Sequence, residues 1–374
     1  MAVDWDRIRA EFPALEHWTF LNTATFGQLP RRATEAVAAH FAHRDELACH
    51  DFLDWFDDAD RIRESLARLI HCSADDIAFV PTAAAALSLL LGGLDWKPGD
   101  RLVTLAGEFP NNLYYPALLS RHGAEFVEVE WERFYDVITD RTRLVVLSTV
   151  NYTTGFRPPL EEIGRFLRER GVMLYLDGTQ SVGALRFDVE QVRPAMLAVH
   201  AYKWLLAPNG AGFMYVSPEL RWTLSPNVVG WRSHRDWRSV DNLHHGAPEF
   251  VEAAEKYEGG MLMFPPLYAL GASAGMILEI GPEVIEQRVL ELAGRLRATL
   301  VGLGGELVAG DSPHFNTPIV AARFPGRDAS ALARGLKERR VLVSARHGNL
   351  RVSVHFYNNE RDLERLESEL RNLL

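Results

Sequence analysis

The chain has 374 residues, of which 47% are hydrophobic, 24% charged and 10% aromatic. These proportions are typical of a folded globular protein and exclude a disordered or fibrous one, and the length allows two or three domains of roughly 100–200 residues each. The formal net charge is −10; because nucleic acids and anionic membranes bind clustered cations, we expect neither as a partner.

The two cysteines, Cys49 and Cys72, are too few for a disulfide framework and lack CxxC spacing, which indicates a reducing compartment. The first residues lack the basic and apolar regions of a secretory signal, and no apolar stretch has the length of a membrane span. We therefore expect a cytoplasmic protein.

The first part of the chain is predicted to be mainly helical. Apolar residues recur at intervals of three and four in the segments 5–11, 31–46 and 52–70, and a short strand breaks into a turn within 18–27. We interpret residues 1–50 as an N-terminal arm that packs with the C-terminal domain.

From residue 75 onwards, short apolar strands alternate with helices. Strands are predicted at 77–80, 101–105, 125–129, 144–147, 172–176, 196–199 and 212–216, and helices at 82–91, 111–121 and 160–170. Parallel strands need crossover connections and are buried on both faces, so the pattern predicts an α/β fold with a mostly parallel, seven-stranded sheet covered by helices on both faces. We assign residues 51–262 to this large domain.

A smaller α+β domain is predicted for residues 263–374. It begins with a long helical stretch at 266–303. Predicted strands at 318–324, 341–344 and 350–355 then combine with helices at 329–339 and 360–374.

Polar residues follow three predicted strands of the large domain. Asn151 comes shortly after the strand 144–147, Asp177 and Gln180 follow 172–176, and Lys203 follows 196–199. Ligands of open α/β sheets bind at the carboxyl ends of the strands, so these side chains should converge on one crevice.

Only four of the 40 cationic residues are lysines, and Lys203 alone among them follows an apolar strand. Thr82 and the alanines after it begin a predicted helix, where a hydroxyl and free N–H groups can bind a phosphate. Pyridoxal 5′-phosphate (PLP) needs an amine to condense with its aldehyde, an anion beside its ring nitrogen and a phosphate site. We therefore predict PLP as the cofactor, with Lys203 as the catalytic Schiff-base lysine and Asp177 keeping the ring nitrogen protonated.

The run Tyr175–Gly183, followed some twenty residues later by His200-Ala-Tyr-Lys203, resembles the motif of the class V aminotransferases. This group of fold-type I PLP enzymes includes cysteine desulfurases, kynureninases and isopenicillin N epimerase-like proteins. Similar segments extend over nearly the full length, at 21–24, 150–155, 257–261, 268–271, 351–353 and 357–358. The resemblance implies a fold-type I enzyme that acts as a homodimer with active sites at the interface.

The resemblance also implies roles for individual residues. Gln180 and Asn151 would bond the cofactor's ring hydroxyl, and Phe109 would stack on its ring. The residues around the phosphate would be Thr82, Ala83, Ala84, His200 and Tyr202, and those reaching the phosphate of the partner subunit would be Gly260 and Met261.

The substrate site follows from the same resemblance. Arg351 would bind the α-carboxylate of an amino acid by two parallel hydrogen bonds, a geometry that lysine cannot supply. Asn22 and Ala24, in the N-terminal arm, are further candidates for substrate binding.

At three places the sequence departs from the family pattern, and there the roles of the family's residues do not apply directly. Cysteine desulfurases have a nucleophilic cysteine on the loop before the carboxylate-binding arginine, but here residues 344–349 contain none, so persulfide chemistry by that route is disfavoured. Met261 stands where relatives have threonine. Ala83 and Ala84 also replace threonines, which gives more weight to N–H groups and to His200.

We therefore predict a PLP-dependent enzyme that acts on a small-molecule α-amino acid through a Schiff base at Lys203 and a carbanion at Cα. Epimerisation, transamination and C–S bond elimination are all consistent with that chemistry. Kynureninase-like cleavage, a cysteine desulfurase without the usual loop cysteine and a degenerate binding or structural subunit are the alternatives. Intact Asp177, Gln180, Lys203 and Arg351 argue against a degenerate subunit.

Other chemistries have little support in the sequence. No HExxH, paired CxxC or EF-hand pattern occurs, so no metal site is predicted. Without a complete glycine fingerprint, a dinucleotide dehydrogenase is disfavoured. The segment 231–238, rich in Trp, Arg and His, is interpreted as a solvated loop or dimer contact rather than a substrate-binding loop.

Overall fold

Helices and strands alternate through most of the chain in the computed structural model, which describes residues 3–310 and 312–374. The α-helices are α1 (Trp5–Arg9), α2 (Arg31–Leu47), α3 (Asp54–Ile70), α4 (Ala83–Gly93), α5 (Asn111–Leu118), α6 (Leu160–Arg168), α7 (Val189–Val192), α8 (Pro218–Thr223), α9 (Phe264–Ile280), α10 (Pro282–Gly302), α11 (Ala329–Glu338) and α12 (Glu360–Arg371). The strands are β1 (Thr19–Phe20), β2 (Ile77–Val80), β3 (Arg101–Leu105), β4 (Glu125–Val129), β5 (Thr142–Ser148), β6 (Met173–Asp177), β7 (Met196–His200), β8 (Gly212–Val216), β9 (Glu306–Leu307), β10 (Ile319–Arg323), β11 (Val341–Leu342), β12 (Ser344–Arg346) and β13 (Asn349–Ser353).

The central sheet has seven strands in the order β2-β8-β7-β6-β5-β3-β4. All neighbours are parallel except β8, which runs antiparallel to β2 and β7, and this confirms the predicted α/β architecture. The register pairs Ser148 with Asp177 and Asp177 with Ala198. The carboxyl ends of β5, β6 and β7 therefore lie side by side.

Alternate residues of each central strand enter apolar cores on opposite faces of the sheet. On β5, Leu144 and Val146 pack in the core that contains α4, whereas Val145 and Leu147 pack in the core that contains α6. Burial on both faces is the reason these strands are almost entirely apolar.

A second sheet, β12-β13-β10-β9, is antiparallel throughout. It shares an apolar core with α10, α11 and α12. The N-terminal segment contacts this part of the chain, because β1 pairs in parallel with β11 and Arg9 forms an ion pair with Asp362 at 2.8 Å. The division at residues 50 and 262 stays a prediction.

Two predicted elements are wrong in detail. The single helix expected over 266–303 is two helices, because Gly281 has a φ of +97° and Pro282 begins α10; proline supplies no N–H to a preceding turn. The strand expected at 341–344 is divided between β11 and β12. In the described part of the chain, no helix combines the length and apolarity needed to cross a membrane.

Candidate active site

Asp177 ends β6 at the centre of the sheet and is only 6% exposed. Its Oδ1 accepts a hydrogen bond from the Thr179 N–H at 3.0 Å. Burial raises the pKa of Asp177, whereas the Thr179 hydrogen bond and the charge of Lys203 oppose that rise. A buried carboxylate of this kind favours a cationic partner, such as a protonated ring nitrogen.

Lys203 lies in the loop after β7 and is also 6% exposed. Burial lowers the pKa of its amine to about 8; the charge of Asp177 opposes this shift, and the charges of Arg351 and Arg346 add to it. The Nζ atom lies 5.5 Å from the ring centre of Phe109. The site therefore brings the predicted amine, carboxylate and carboxylate-binding arginine close enough to influence one another.

The start of α4 fits an anion. Thr82 caps the helix by accepting the Ala85 N–H at its hydroxyl oxygen, 3.0 Å away. The N–H groups of Ala83 and Ala84 come before the first intrahelical hydrogen bonds and are left to other acceptors. The Tyr175 hydroxyl donates to the Ala83 carbonyl at 3.2 Å, which fixes this helix start against β6.

His200 ends β7, and its backbone N–H donates to the Thr179 hydroxyl at 3.0 Å. Its Nε2 is buried and has no hydrogen-bond partner among the described residues. Burial lowers the pKa of His200 to about 4, so the ring is neutral at pH 7. Its ring packs edge-on against Tyr202, with 4.4 Å between ring centres.

Gln180 and Asn151 are both engaged in hydrogen bonds within the protein. The Gln180 amide donates to the Ala24 carbonyl at 3.0 Å and accepts the Trp204 indole N–H at 2.9 Å. The Asn151 amide donates to the Gly107 carbonyl at 2.9 Å, and its side-chain oxygen accepts the N–H groups of Thr153 and Thr154 in the turn that follows. Each amide keeps one further N–H, so the expected bond to the cofactor's ring hydroxyl stays a prediction.

Arg351 is 1% exposed and has only neutral acceptors among the described residues. It donates to the Ser344 hydroxyl at 3.1 Å, the Tyr152 carbonyl at 2.5 Å and the Thr25 hydroxyl oxygen at 2.5 Å. Burial and the charge of Arg346 lower its pKa to about 9. A guanidinium that is desolvated without a carboxylate partner is well suited to bind one.

The other predicted residues are placed as follows. The Asn22 side-chain oxygen lies 3.4 Å from the Arg351 guanidinium, and the Ala24 N–H donates to the Ser353 hydroxyl. The Phe109 ring packs edge-on against Tyr152 at 5.1 Å.

Gly260 and Met261 have no hydrogen bond to any of these site residues in the described part of the chain, and Met261 is 57% exposed. Their contact with a partner subunit stays a prediction.

Three residues at or beside the candidate site, Thr179, Thr25 and Glu108, were not predicted from the sequence. Thr179 links Asp177 to the backbone of His200, and Thr25 contacts Arg351. Glu108 is buried beside the site, where it accepts the Ser148 N–H at 2.6 Å. The position of Thr179 two residues after an aspartate is a signal for such a turn, but neither Thr25 nor Glu108 has one.

The segment 231–238 is less solvated than expected. Arg232 is 1% exposed and pairs with Glu258 at 2.9 Å, and Glu258 pairs in turn with Arg63 at 2.7 Å. Trp237 is buried under the Arg232 guanidinium. Of the two expected roles, a solvated loop is wrong for these residues, because their charges are neutralised inside the fold; a dimer contact stays a prediction.

These residues fit PLP: an unpartnered buried nitrogen and a free helix N-terminus suit a phosphate, and a buried amine and carboxylate suit the aldehyde and the ring nitrogen. Among the described residues, no group of three or more His, Cys, Asp or Glu side chains is arranged to hold a metal ion.

The chain is similar to known proteins over nearly its whole length. The family model "Aminotransferase class-V" matches residues 20–366. The isopenicillin N epimerase of Streptomyces clavuligerus is 31% identical, with 99% of this chain and 98% of the relative covered. A probable cysteine desulfurase of Methanothermobacter thermautotrophicus is 24% identical, with 98% and 97% covered.

Among solved structures, a mutant of C-DES with glycine covalently linked to its PLP cofactor superposes with a TM-score of 0.90 at 23% identity, covering 99% of this chain and all of the other. The fold-type I architecture is thereby confirmed, and the family match confirms the prediction of an enzyme with PLP as its cofactor. A dinucleotide dehydrogenase is excluded. This chain belongs to the class V aminotransferase family.

Proposed function

We propose that this enzyme moves a proton at Cα of an α-amino acid and that epimerisation of this carbon is the outcome. The observation that carries the proposal is the buried amine of Lys203, whose pKa is lowered to about 8. A general base is most effective when its pKa lies near the working pH, since it can then both accept and return the proton. The likeness to an isopenicillin N epimerase over 99% of the chain supports epimerisation.

When bound, PLP supplies an electron-withdrawing ring that acidifies the substrate's Cα proton. Asp177 would hold the ring nitrogen, and Phe109 would pack against the ring. Gln180 and Asn151 would contact the ring hydroxyl through their remaining N–H groups. The phosphate would be bound by Thr82, Ala83, Ala84, His200 and Tyr202.

Arg351 would position the substrate by binding its α-carboxylate. Asn22 and Ala24 would lie beside the bound substrate, since the Asn22 side-chain oxygen is 3.4 Å from the Arg351 guanidinium and the Ala24 N–H donates to the Ser353 hydroxyl. Lys203 would then accept the Cα proton at Nζ, and a proton would return to the same carbon with either stereochemistry.

C–S elimination is the second candidate, since it also begins with loss of the Cα proton and needs no thiol on the protein. The segment that carries the nucleophilic cysteine in cysteine desulfurases is here a two-residue turn, His347-Gly348, between β12 and β13. Burial raises the pKa of Cys72 to about 12, which makes it a poor nucleophile at neutral pH. Transamination and kynureninase-like cleavage are further outcomes for the test below.

A homodimer is the assembly we propose, with Gly260 and Met261 contacting the partner subunit. Val228, Val229 and Met261 are 48%, 53% and 57% exposed, and their segments are adjacent, because a Cβ at Gly230 would lie 2.6 Å from the Gly259 carbonyl. Such an apolar patch supports a subunit contact. A cytoplasmic location is the setting we propose for the enzyme.

The test is proton exchange at Cα in deuterated water. The PLP-loaded protein is incubated with a panel of L- and D-amino acids, and Cα–H loss is followed by NMR while chiral chromatography, keto-acid assays and sulfide assays identify products. We expect deuterium at Cα together with the opposite enantiomer, and neither with Lys203→Ala. Keto acid or sulfide without the opposite enantiomer would overturn epimerisation, and the absence of exchange for every amino acid would overturn the proton step itself.

A further inference from the structure

Arg346 and Arg351 lie on facing strands of the β12–β13 hairpin and on the same face of it. The register pairs Arg346 with Asn349 and Ser344 with Arg351, which makes the two arginines diagonal neighbours, about 7–8 Å apart. The two turn residues between the strands have φ values of 48° and 78°, as in the tight turns that match the twist of a hairpin. The hairpin therefore holds both guanidinium groups in a fixed register.

Neither arginine forms an ion pair with a carboxylate of residues 3–310 or 312–374. Arg346 donates to the carbonyl of the adjacent Ala345 at 2.8 Å and to the Thr25 hydroxyl oxygen at 3.4 Å. Arg351 donates to the same Thr25 oxygen at 2.5 Å. Two cations that share one neutral hydroxyl repel each other, so an anion between or beside them would lower the electrostatic energy.

The two arginines differ in their burial. In the proposed function the fully buried Arg351 takes the α-carboxylate. The phosphate site is on α4 and at the end of β7, and none of its residues hydrogen bonds to Arg346 in the described part of the chain. Arg346 is half-buried and borders the exposed hairpin turn His347-Gly348. Arg346 thus lies toward the part of a substrate that is farther from Cα.

We propose that Arg346 binds a second carboxylate, at the far end of the substrate's side chain, so that the enzyme prefers amino acids with a distal carboxylate. The inference rests on the proposed function in that Arg351 is assigned to the α-carboxylate. Thr25 positions the two arginines relative to each other through its shared hydroxyl oxygen.

The test uses two ligands that do not react, glutarate and its monoamide glutaramate, titrated into the PLP-loaded protein by calorimetry. A charge-assisted hydrogen bond predicts that glutarate binds at least about tenfold more tightly than glutaramate. With Arg346→Gln, glutarate should bind about as weakly as glutaramate does, whereas binding of glutaramate should change by less than about twofold. Arg323→Gln is the matched control, since Arg323 is an exposed arginine of the same sheet that pairs with Glu306 at 2.6 Å.

Equal binding of the two ligands to the unmodified protein would overturn the proposal without any variant. So would Arg346→Gln if it weakened both ligands alike. Should that variant fail to fold, Arg346→Lys must retain part of the preference for glutarate. Because neither ligand has an α-amino group, the titration is independent of the exchange test: a glutarate preference without Cα exchange would refute the proposed function and leave the second anion site intact.

Discussion

Gly27 lies directly against the backbone of Lys203: a Cβ at Gly27 would be 1.9 Å from the Lys203 carbonyl oxygen. The Gly27 N–H also donates to the Tyr202 carbonyl at 2.9 Å. The N-terminal segment therefore fixes the loop that carries Lys203, and only a residue without a side chain fits at this contact.

Gly27→Ala should displace the Lys203 loop. We expect a stability loss of about 1–3 kcal/mol, typical of overpacking, together with weaker retention of PLP and slower Cα exchange. Gly275→Ala is the control, because a Cβ there meets nothing within 4 Å, and alanine favours the helix by up to about 1 kcal/mol. Denaturant unfolding and the cofactor's visible absorbance measure both effects; equal behaviour of the two variants would contradict this role for Gly27.

The lowered pKa of Lys203 predicts how PLP uptake depends on pH. Only an unprotonated amine reacts with an aldehyde, and burial lowers the pKa of this amine to about 8, from an ordinary value of 10.5. The rate at which the cofactor-free protein takes up PLP should therefore rise with pH and level off above about 8. Stopped-flow absorbance measures this rate, and a rise that continues to pH 10 would show that the lysine is not perturbed.

The buried ion pairs of Glu258 predict a large loss of stability on its substitution. Glu258→Gln removes the nearest carboxylate of both Arg63 and Arg232 and leaves them only the longer contacts to Asp60 at 3.5 Å and Glu255 at 3.4 Å. The loss should cost about 3–5 kcal/mol. Glu367→Gln, which breaks the exposed pair with Arg371, should cost less than about 0.5 kcal/mol. Urea unfolding compares the two variants, and similar losses would show that the buried pairs contribute little.

Glu258 should also make the stability of the protein depend on pH in the acid range. Burial tends to raise the pKa of Glu258, but the charges of Arg63 and Arg232 outweigh it and hold the pKa below its ordinary value of 4.5. Its contribution to stability is therefore present above pH about 4.5 and is lost as the pH falls through the lowered value. In Glu258→Gln this part of the acid dependence should be absent.

The meeting of the candidate residues Asp177 and Lys203 in one site was predictable from the sequence because each stands at or just after the end of a strand. Asp177 and Lys203 come after buried apolar runs whose parallel arrangement requires their ends to meet. Thr25 and Gly27 were not predictable in this way, since they approach the site from a loop of the N-terminal segment by contacts between distant parts of the chain.

Other features of the structure depend on tertiary packing in a similar way. From the sequence, the charged segment around Arg232 was interpreted as a solvated loop. Its charge is neutralised by Glu258, which also pairs with Arg63, and these three residues are far apart in the sequence. The end of α9 at Gly281 coincides with a Gly281-Pro282 pair, which is a helix-ending signal. The helical spacing of apolar residues on both sides of that pair nevertheless predicted one continuous helix.

The cysteines should be dispensable for catalysis. Cys72 has a raised pKa and Cys49 lies after α2, and neither is on the β12–β13 hairpin. The double variant Cys49→Ser, Cys72→Ser should retain Cα exchange and any sulfide release from sulfur-containing amino acids to within about twofold. Exchange and sulfide assays check this, and loss of sulfide release alone would point to a persulfide on one of the two cysteines.

We expect Lys203 to be the residue that bonds to PLP. Borohydride reduction of the PLP-loaded protein, followed by peptide mass spectrometry, locates that bond among the four lysines, Lys97, Lys203, Lys256 and Lys337. We expect one phosphopyridoxyl group, on Lys203, and none in Lys203→Ala. Modification of another lysine in place of Lys203, or of none, would contradict it.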